Sequence, residues 1–296
     1  MNKNDKNQLE IITTVYNRKE CLIRLYKSLV QQDCTNFIWT IVDDGSAEKI
    51  EDMVNEWQKS CKFKIKLYIQ RNMGKMSAYK KAIDFSKSKW SIVVDSDDVV
   101  LSNCVSTLLS RISEIEDNKM EIIGAVFPKD TRNLKNWRKI SGKIIDIISL
   151  RYEYSIPEAV ILVNNKMLRQ EFVNLLIPNE KFMSEEVLYN RLAFYGKFIV
   201  YLDVFYTSEY QDDGLTVQIF NIWKDSPNGT LKLLTSRYCA LGDLPIFFEI
   251  LGKVKTILNL NAFCMAKDIN YLAVTPNKYL SRVLYIPSRI VRAKRF

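Results

Sequence analysis

Two carboxylates, Asp95 and Asp97, follow the apolar run 92–94 and are separated by a single serine. Such a run predicts a buried strand whose end presents both carboxylates at one point. Oxygen ligands without His or Cys select Mg²⁺ or Mn²⁺, and an ion held there could offset the charge of a leaving diphosphate. The structural alternative is an acidic turn that caps the helix predicted from about residue 103.

Polar residues also follow three other predicted strands. The four clusters, in chain order, are Thr14-Val15-Tyr16-Asn17-Arg18, Asp43-Asp44-Gly45-Ser46, Arg71-Asn72-Met73-Gly74-Lys75 and Asp95-Ser96-Asp97-Asp98. Any one of them could simply cap a helix. Four in register predict a binding crevice, because open α/β sheets bind ligands at the carboxyl ends of their strands.

Two of these clusters have the chemistry of a nucleotide site. A carboxylate of Asp43 or Asp44 could accept a nucleobase N–H or a ribose hydroxyl, and Gly45 permits a close backbone approach. Arg71 and Lys75 bring positive charge to the same edge, where phosphates require it. The sequence has neither a Walker A loop nor a GxGxxG motif, so nucleotide binding here would use carboxylates and a metal.

The elements that position these clusters follow from hydropathy patterns. Short β-branched or aromatic runs predict strands, and segments of helical period lie between them. The alternation indicates βαβ units and an α/β fold with a mostly parallel sheet flanked by helices. The predicted strands are residues 9–16, 37–42, 64–69, 91–95 and 121–127, and the predicted helices are 18–32, 47–59, 75–85 and 103–116. In the first helix, Leu22, Leu25, Leu29 and Val30 should share one face.

The composition narrows the possible chemistry further. The 296-residue chain has no histidine, so acid–base work at neutral pH falls to carboxylates or lysine, and no His-based triad or zinc site can form. Its content of 47% hydrophobic and 26% charged residues is that of a packed protein. The six cysteines form no CxxC pair, and we expect free thiols in a reducing cytosol.

The motif series closely resembles the nucleotide-sugar-binding half of family 2 glycosyltransferases with the GT-A fold. The matching runs are Thr-Val-Tyr-Asn-Arg (14–18), Val-Asp-Asp-Gly-Ser (42–46), Asn-Met-Gly-Lys (72–75) and Val-Asp-Ser-Asp-Asp (94–98). The resemblance is strong over about residues 9–127 and weaker over 128–216. It implies a Rossmann-like GT-A sheet and a sugar transfer with inversion from a nucleotide donor, expected to be a UDP-sugar.

The resemblance also assigns roles to residues. It implies that Asp43 or Asp44 binds the nucleoside, that Lys75 lies near the nucleotide, and that Asp95 and Asp97 serve the diphosphate and a metal, Mn²⁺ or Mg²⁺. The expected donor-site residues are Thr14, Tyr16, Asn17, Arg18, Asp43, Asp44, Arg71, Asn72, Gly74, Lys75, Asp95 and Ser96.

An acidic pair at the start of a helix supplies the general base in that family. Glu185 and Glu186 follow Ser184 and precede a helical pattern, which fits that position, with Glu186 as the first candidate and Glu185 as the second. The helix macrodipole favours acidic residues in a first turn whatever their role, which is the structural alternative.

The run 209–216 resembles an "EY..DGLT" loop of family 2 enzymes that act in bacterial surface-polysaccharide pathways. Gly214 could be the hinge of a loop that closes over the donor, or part of an ordinary Asp-Gly turn. Many GT-A enzymes bind the metal with a C-terminal histidine, which this chain lacks. Glu209, Asp212 or Asp213 could supply an oxygen instead, or water could complete the shell.

The C-terminal third has a different pattern. We predict a catalytic domain over residues 1–218, with a nucleotide-sugar half at 9–127 and an acceptor-side half at 128–218, and a helical region at 219–296. Helices are predicted at about 230–242, 245–258 and 261–273. After Asp268 the chain has six basic residues and no acidic one. No apolar run is long enough for a spanning helix.

The basic tail, residues 278–292, places Leu280, Val283, Leu284, Ile290 and Val291 among arginines. This pattern predicts an amphipathic helix on an anionic membrane surface. A packing helix or a homo-oligomer interface is the alternative. Nucleic acid is not expected as a partner, since no RRM, helix-turn-helix or zinc-finger pattern occurs.

The expected function is therefore metal-assisted, inverting sugar transfer to a surface-glycan acceptor, polymeric or linked to a polyprenyl diphosphate. The enzyme would be cytoplasmic and peripheral on the inner face of a bacterial cell membrane, in a capsule or O-antigen pathway. A non-catalytic nucleotide-sugar or membrane-binding module on the same fold is the alternative. A nucleotidyltransferase should carry a glycine-rich loop after the first strand, and residues 14–19 contain no glycine.

Overall fold

A central sheet of eight strands organises the structure, a computed structural model that describes residues 8–118, 120–207 and 219–296. Its strands are β1 (Leu9–Val15), β2 (Ile38–Asp43), β3 (Lys64–Ile69), β4 (Trp90–Val93), β6 (Ile122–Phe127), β7 (Ile144–Ile145), β8 (Val160–Asn164) and β9 (Lys197–Val200). Two short strands, β5 (Val99–Val100) and β10 (Tyr206–Thr207), pair antiparallel beside it.

The strand order is β3-β2-β1-β4-β8-β6-β9-β7. Strand β8 runs antiparallel to β4 and β6, and β7 runs antiparallel to β9, whereas the remaining pairs are parallel. The predicted mostly parallel α/β sheet is confirmed. Strand β2 is buried along its whole length, as expected for a parallel strand covered on both faces.

Helices cover both faces of the sheet. In chain order they are α1 (Lys19–Val30), α2 (Glu51–Ser60), α3 (Lys75–Phe85), α4 (Cys104–Glu116), α5 (Leu134–Arg138), α6 (Ser149–Tyr152), α7 (Asn165–Phe172), α8 (Glu185–Leu192), α9 (Ile219–Asp225), α10 (Pro227–Ala240), α11 (Ile246–Ala266), α12 (Tyr271–Val274), α13 (Lys278–Val283) and α14 (Tyr285–Arg295). Leu22, Leu25 and Leu29 are buried on α1 as predicted, whereas Val30, at the last position of the helix, is exposed.

Two hydrophobic cores lie on opposite faces of the sheet. One is formed with apolar residues of α1, α2 and α4, including Leu25, Val54 and Leu108. The other is formed with apolar residues of α3, α7, α8, α10 and α11. Because the second core contains both Ile83 and Phe263, residues from the predicted catalytic domain and the predicted C-terminal region pack in one cluster. The division at residue 218 remains a prediction.

The C-terminal region differs from its prediction in two respects. The helices expected at 245–258 and 261–273 are replaced by the single helix α11 and the short α12, because no proline or glycine interrupts the chain between residues 253 and 266. The tail also has a packed inner face: Ser281 and Ser288 are fully buried, and the Asn261 side chain donates to the Ser281 carbonyl (2.8 Å).

The opposite face of the tail is open. Val283 and Ile290 are exposed as the amphipathic pattern requires, whereas Leu280, Leu284 and Val291 are half-buried. Among the helices within the described ranges, none has both the length and the apolar composition to cross a bilayer.

We predict that Phe263→Ala destabilises the protein by about 3–5 kcal/mol, because it removes a large, fully buried side chain from the shared core. The same substitution at Phe247, which lies on the same helix and is 68% exposed, should change stability by less than about 0.5 kcal/mol. Urea denaturation followed by circular dichroism measures both. Equal effects of the two substitutions would contradict the packing of α11 into this core.

Candidate active site

The turns after β1 and β2 are joined by reciprocal hydrogen bonds. Asn17 has a left-handed backbone (φ 52°), and its N–H donates to Ser46 Oγ (2.9 Å). Its own side-chain oxygen accepts the Ala47 N–H (2.8 Å). Asparagine tolerates this backbone conformation better than most residues. Asn17 therefore fixes the two turns against each other.

Asp44 organises the next turn, residues 70–74. One carboxylate oxygen accepts the Met73 N–H (2.9 Å) and the Gln70 side-chain amide (2.7 Å), and the other accepts the Gly74 N–H (2.7 Å). Gly74 has a φ of 93°, and a Cβ there would lie 1.7 Å from the Lys181 carbonyl oxygen. This turn therefore requires glycine at 74, and both oxygens of Asp44 are used within the protein.

The other residues predicted for the nucleotide lie around these turns. Asp43 ends β2 and accepts the Ser46 N–H through one oxygen (2.9 Å). The remaining predicted donor-site residues also lie at the carboxyl edge of β1, β2 and β3, but their exposure differs. Thr14, Arg18 and Asn72 are half-buried, whereas Tyr16 and Arg71 are exposed.

Lys75, the first residue of α3, bridges two acidic elements. Its Nζ lies 2.6 Å from Asp95 Oδ1 and 2.6 Å from Glu185 Oε1. Burial would lower the pKa of Lys75, but the two carboxylates reverse that effect and hold the pKa above its usual value. The pKa of Asp95 is lowered, because the Lys75 ammonium outweighs the effect of burial. The predicted metal and base motifs therefore meet at one cation.

Three carboxylates in the turn after β4 could hold a metal ion. Asp95, Asp97 and Asp98 each offer an oxygen within 4.8 Å of the others. Within the described part of the chain, the Asp97 carboxylate has neither a hydrogen bond nor an ion pair, so it is available as a ligand. Oxygen-only donor sets suit Mg²⁺ and Mn²⁺. The residues present therefore fit the ion predicted from the sequence, with Asp98 as an additional carboxylate.

Tyr206 and Lys129 hold this acidic turn in place. The Tyr206 hydroxyl donates to Asp98 Oδ2 (2.6 Å) and accepts the Asp95 N–H (3.3 Å). Lys129 Nζ lies 3.3 Å from the same Asp98 oxygen. Burial raises the pKa of Asp98 even though Tyr206 and Lys129 favour its ionised form. Both contacts are made by Asp98 Oδ2, so neither Tyr206 nor Lys129 contacts the other carboxylate oxygen, Oδ1.

The two glutamates predicted to supply the general base, Glu185 and Glu186, are the first residues of α8. The Ser184 side chain caps the helix by accepting the Glu186 N–H (3.3 Å). Whereas Glu185 contacts Lys75, Glu186 receives two hydrogen bonds from Arg237, one from Nε (2.5 Å) and one from Nη2 (2.6 Å). Burial would raise the pKa of Glu186, but Arg237, supported by Arg151, lowers it below its usual value.

A cavity of about 300 Å³ opens beside these carboxylates. Asp95, Glu185 and Glu186 line it together with the charged residues Lys129, Arg151 and Glu158, and the remaining lining is mainly apolar. The apolar wall comprises Ile147, Ile148, Leu150, Ile156, Pro157, Ala159, Val160 and Ile161. The cavity is thus bounded by the end of β4, the start of β8 and the helices α6 and α8, on the side away from β2 and β3.

Four site residues were not predicted from the sequence. Lys129 could have been found, because it follows β6, a predicted strand that runs parallel to β4 and ends at the same edge. Tyr206, Arg151 and Arg237 depend on how distant elements pack, for which the chain carries no local signal. The run 209–216, with Gly214 and the proposed ligands Glu209, Asp212 and Asp213, lies outside the described residues.

Strand-end carboxylates on a mostly parallel sheet, close to an acidic helix start, are the arrangement of a glycosyltransferase with the GT-A fold. The sequence model described as glycosyl transferase family 2 matches residues 10–174, more than half of the chain. The chain belongs to this family, as the motif resemblance indicated.

Curated relatives are distant in sequence. An uncharacterised glycosyltransferase of Methanocaldococcus jannaschii is 22% identical over 185 residues, which are 62% of each chain. A β-1,3-glucosyltransferase of Campylobacter jejuni, whose name specifies a GalNAc(5)-diNAcBac-PP-undecaprenol substrate, is 27% identical over 109 residues, 36% of this chain and 35% of the relative. The matched region thus spans less than two thirds of either relative.

Two solved structures share the fold. TarS residues 1–349 of S. aureus in complex with UDP aligns over 97% of this chain and 88% of that chain, with a TM-score of 0.66 and 14% identity. The mannosyltransferase PcManGT of Pyrobaculum calidifontis, in complex with GDP-Man and Mn²⁺, aligns over 97% and 84%, with a TM-score of 0.60 and 12% identity. Both alignments extend across the C-terminal helices.

We predict that Asp44→Ala destabilises the protein by about 2–4 kcal/mol, because it leaves the Met73 and Gly74 N–H groups without their acceptor. Asp43→Ala removes one such bond and should cost about 1 kcal/mol. Urea denaturation compares the two variants. A larger loss for Asp43→Ala would show that Asp44 does not hold the turn.

Proposed function

We propose that this protein transfers a sugar, with inversion, from a nucleotide-sugar donor to the hydroxyl group of a glycan acceptor. The observation that carries the proposal is the position of Lys75 between Asp95 and Glu185. This position puts Asp95, whose turn is suited to a diphosphate-bound metal, within a few ångströms of Glu185, whose helix start is suited to deprotonating an acceptor. A module that only binds nucleotide sugars has no use for the second carboxylate.

The reaction needs one base and one stabilised leaving group. An acceptor oxygen attacks the anomeric carbon and forms the new C–O bond as the bond from that carbon to the diphosphate oxygen breaks. The acceptor proton passes to a carboxylate at the start of α8, and the bonding electron pair leaves with the nucleoside diphosphate. Glu186 is the first candidate for the base and Glu185 is the second, and both line the cavity.

The leaving diphosphate would lie against the turn after β4. Asp97, Asp95 and Asp98 would hold Mn²⁺ or Mg²⁺, which offsets negative charge on the departing phosphates. Lys75 and Lys129 add two ammonium groups at the same turn. In this arrangement a histidine ligand is dispensable, because the turn itself offers three carboxylates.

The donor nucleoside would bind at the turns after β1, β2 and β3. Asp43 is the better candidate to bind the base or ribose, because both oxygens of Asp44 already accept hydrogen bonds from the turn at 70–74. A uridine nucleotide is supported by the neighbour that was crystallised with UDP. Arg71 is exposed at this edge and is available to a phosphate.

The acceptor would be a surface glycan, polymeric or linked to a polyprenyl diphosphate, at the inner face of the membrane. The named substrate of the Campylobacter relative supports a lipid carrier. The outer face of the tail supports a membrane location. We define this tail stripe as four exposed residues on two consecutive helices, Tyr279 and Val283 of α13 and Ile286 and Ile290 of α14. Arg282 and Arg289 are exposed beside it, a pattern that suits an anionic lipid surface.

UDP-GlcNAc, which another TarS structure contains, serves as the donor probe. We predict that Mn²⁺ tightens its binding and that Asp97→Asn reduces this metal-dependent gain in affinity at least about tenfold. Calorimetric titration with and without Mn²⁺ measures the gain. Asp52→Asn, an exposed acidic residue on α2, is the matched control and should bind as the wild type does. An Asp97 variant with the full metal-dependent gain would remove this residue from the metal site.

For the membrane, we predict that Ile286→Asp with Ile290→Asp lowers binding to phosphatidylglycerol vesicles at least about tenfold, because two apolar side chains no longer enter the lipid surface. Flotation of the purified protein with vesicles measures binding. Val173→Asp, at another exposed apolar position, should leave binding unchanged. Point substitutions are preferable to removal of the tail, because the inner face of the tail packs against the protein and its loss would also disturb the fold. Unchanged flotation of the double variant would exclude the tail stripe as the contact.

A further inference from the structure

We propose that Arg237, in the C-terminal helix α10, is a positioning residue that orients the Glu186 carboxylate and keeps it ionised at the acceptor-side cavity. This inference rests on the proposed function, in which Glu186 is the first candidate for the base. It makes the C-terminal helical region part of the catalytic unit.

The contact has the geometry of a built pair. The guanidinium uses two adjacent donors, Nε and Nη2, to reach the two oxygens of one carboxylate at 2.5 and 2.6 Å. This parallel arrangement fixes the plane of the carboxylate as well as its position. Both side chains are largely buried, with 12% of Arg237 and 21% of Glu186 exposed. The small exposed part of Glu186 faces the cavity, which it lines.

Helix α10 is held against α8 and the segment before it by several polar contacts. The Glu180 carboxylate accepts the Asn228 N–H (2.9 Å) and the Gly229 N–H (2.6 Å) at the first turn of α10. Further along the helix, the Asn190 amide donates to Ser236 Oγ (3.3 Å). These bonds set the register of α10, so the position of Arg237 opposite Glu186 does not depend on the ion pair alone.

Several groups face Glu186 from the elements packed around it. Arg151 Nη1 of α6 lies 3.5 Å from Glu186 Oε2, and Asn190 of α8 and Tyr152 of α6 lie close by. Arg151 is 56% exposed, so solvent screens its effect. Arg237 is therefore the main counter-charge. Without it, burial would raise the pKa of Glu186 and favour the protonated form, which cannot accept a proton.

Arg237→Met is the central test. We expect the pKa of Glu186 to rise by about 1–3 pH units, because the nearest cation is lost while the burial remains. The pKa is measured by NMR titration of protein labelled with ¹³C at the glutamate carboxyl carbons, with Glu186→Gln used to assign the signal. Arg237→Lys keeps the charge without the paired donors, and its Glu186 pKa should lie between those of the wild type and the methionine variant.

The second readout is activity. The rate of UDP release from UDP-GlcNAc with Mn²⁺ is measured against pH, with water as the acceptor. In Arg237→Met the acidic limb of the profile should move to higher pH by the same amount as the Glu186 pKa. The KM for UDP-GlcNAc should stay near the wild-type value, since no donor-binding residue is altered. Arg237→Lys should restore part of the shift.

Arg191→Met is the matched control. Arg191 lies on α8, pairs with the buried Glu171 and does not itself line the cavity. Its loss should lower stability but leave the Glu186 titration and the pH profile unchanged. An unchanged Glu186 pKa in both Arg237 variants, or an equal rise in Arg191→Met, would overturn the inference. If the wild type releases nucleoside diphosphate from neither UDP-GlcNAc nor GDP-mannose while Glu186 still titrates as expected, the proposed function fails and the pairing stands.

Discussion

The arrangement of the site depends on the two ion pairs that the Lys75 ammonium makes with Asp95 and Glu185. Three elements meet at this ammonium: α3 supplies the lysine, the turn after β4 supplies Asp95, and α8 supplies Glu185. Two carboxylates so close together would repel each other without a cation between them. The lysine is itself positioned by the preceding turn, where Asp44 accepts the Gly74 N–H. A chain of contacts therefore runs from the end of β2 to the start of α8.

Electrostatic balance at the site is local. Asp95, Asp97, Asp98 and Glu185 bring four negative charges when ionised, and Lys75 and Lys129 bring two positive charges. The remaining negative charge suits one divalent cation. Glu186 is balanced separately by Arg237 and Arg151, so its ionisation is set largely by another part of the molecule. The net charge of the chain, +9, has little bearing on either set.

Much of the fold could be predicted because the signals are local. Buried parallel strands are continuous apolar runs, and the amphipathic helices between them show a clear period, so four helices and five strands were placed within a few residues. The motif clusters fall at strand ends, which share one edge by the geometry of the sheet. The family could be identified for the same reason. The helix expected at 261–273 was wrong because two apolar segments without a breaker between them form one helix, and hydropathy alone does not place the end of such a run.

The rest of the site could not be predicted because it is built by contacts between distant parts of the chain. Arg237 and Glu186 are separated by 51 positions, and Tyr206 and Asp98 by 108. Neither pair belongs to a motif with a fixed spacing. The role of Asp44 was also hidden, because a carboxylate after a strand has the same sequence pattern whether it binds a ligand or a neighbouring turn.

The reversed direction of β8 has a consequence for how such a site can diversify. Because β8 runs against β4 and β6, its beginning, and not its end, lies at the edge that carries the carboxylates. The chain enters it through residues 156–159, which line the cavity without contributing to the acidic turn. Substitutions or insertions in this segment can reshape this wall, which would meet the acceptor under the proposed function, while the acidic turn and α8 keep their positions. Under the proposed function, acceptor choice and donor chemistry would thus be carried by separate pieces of chain and could change independently.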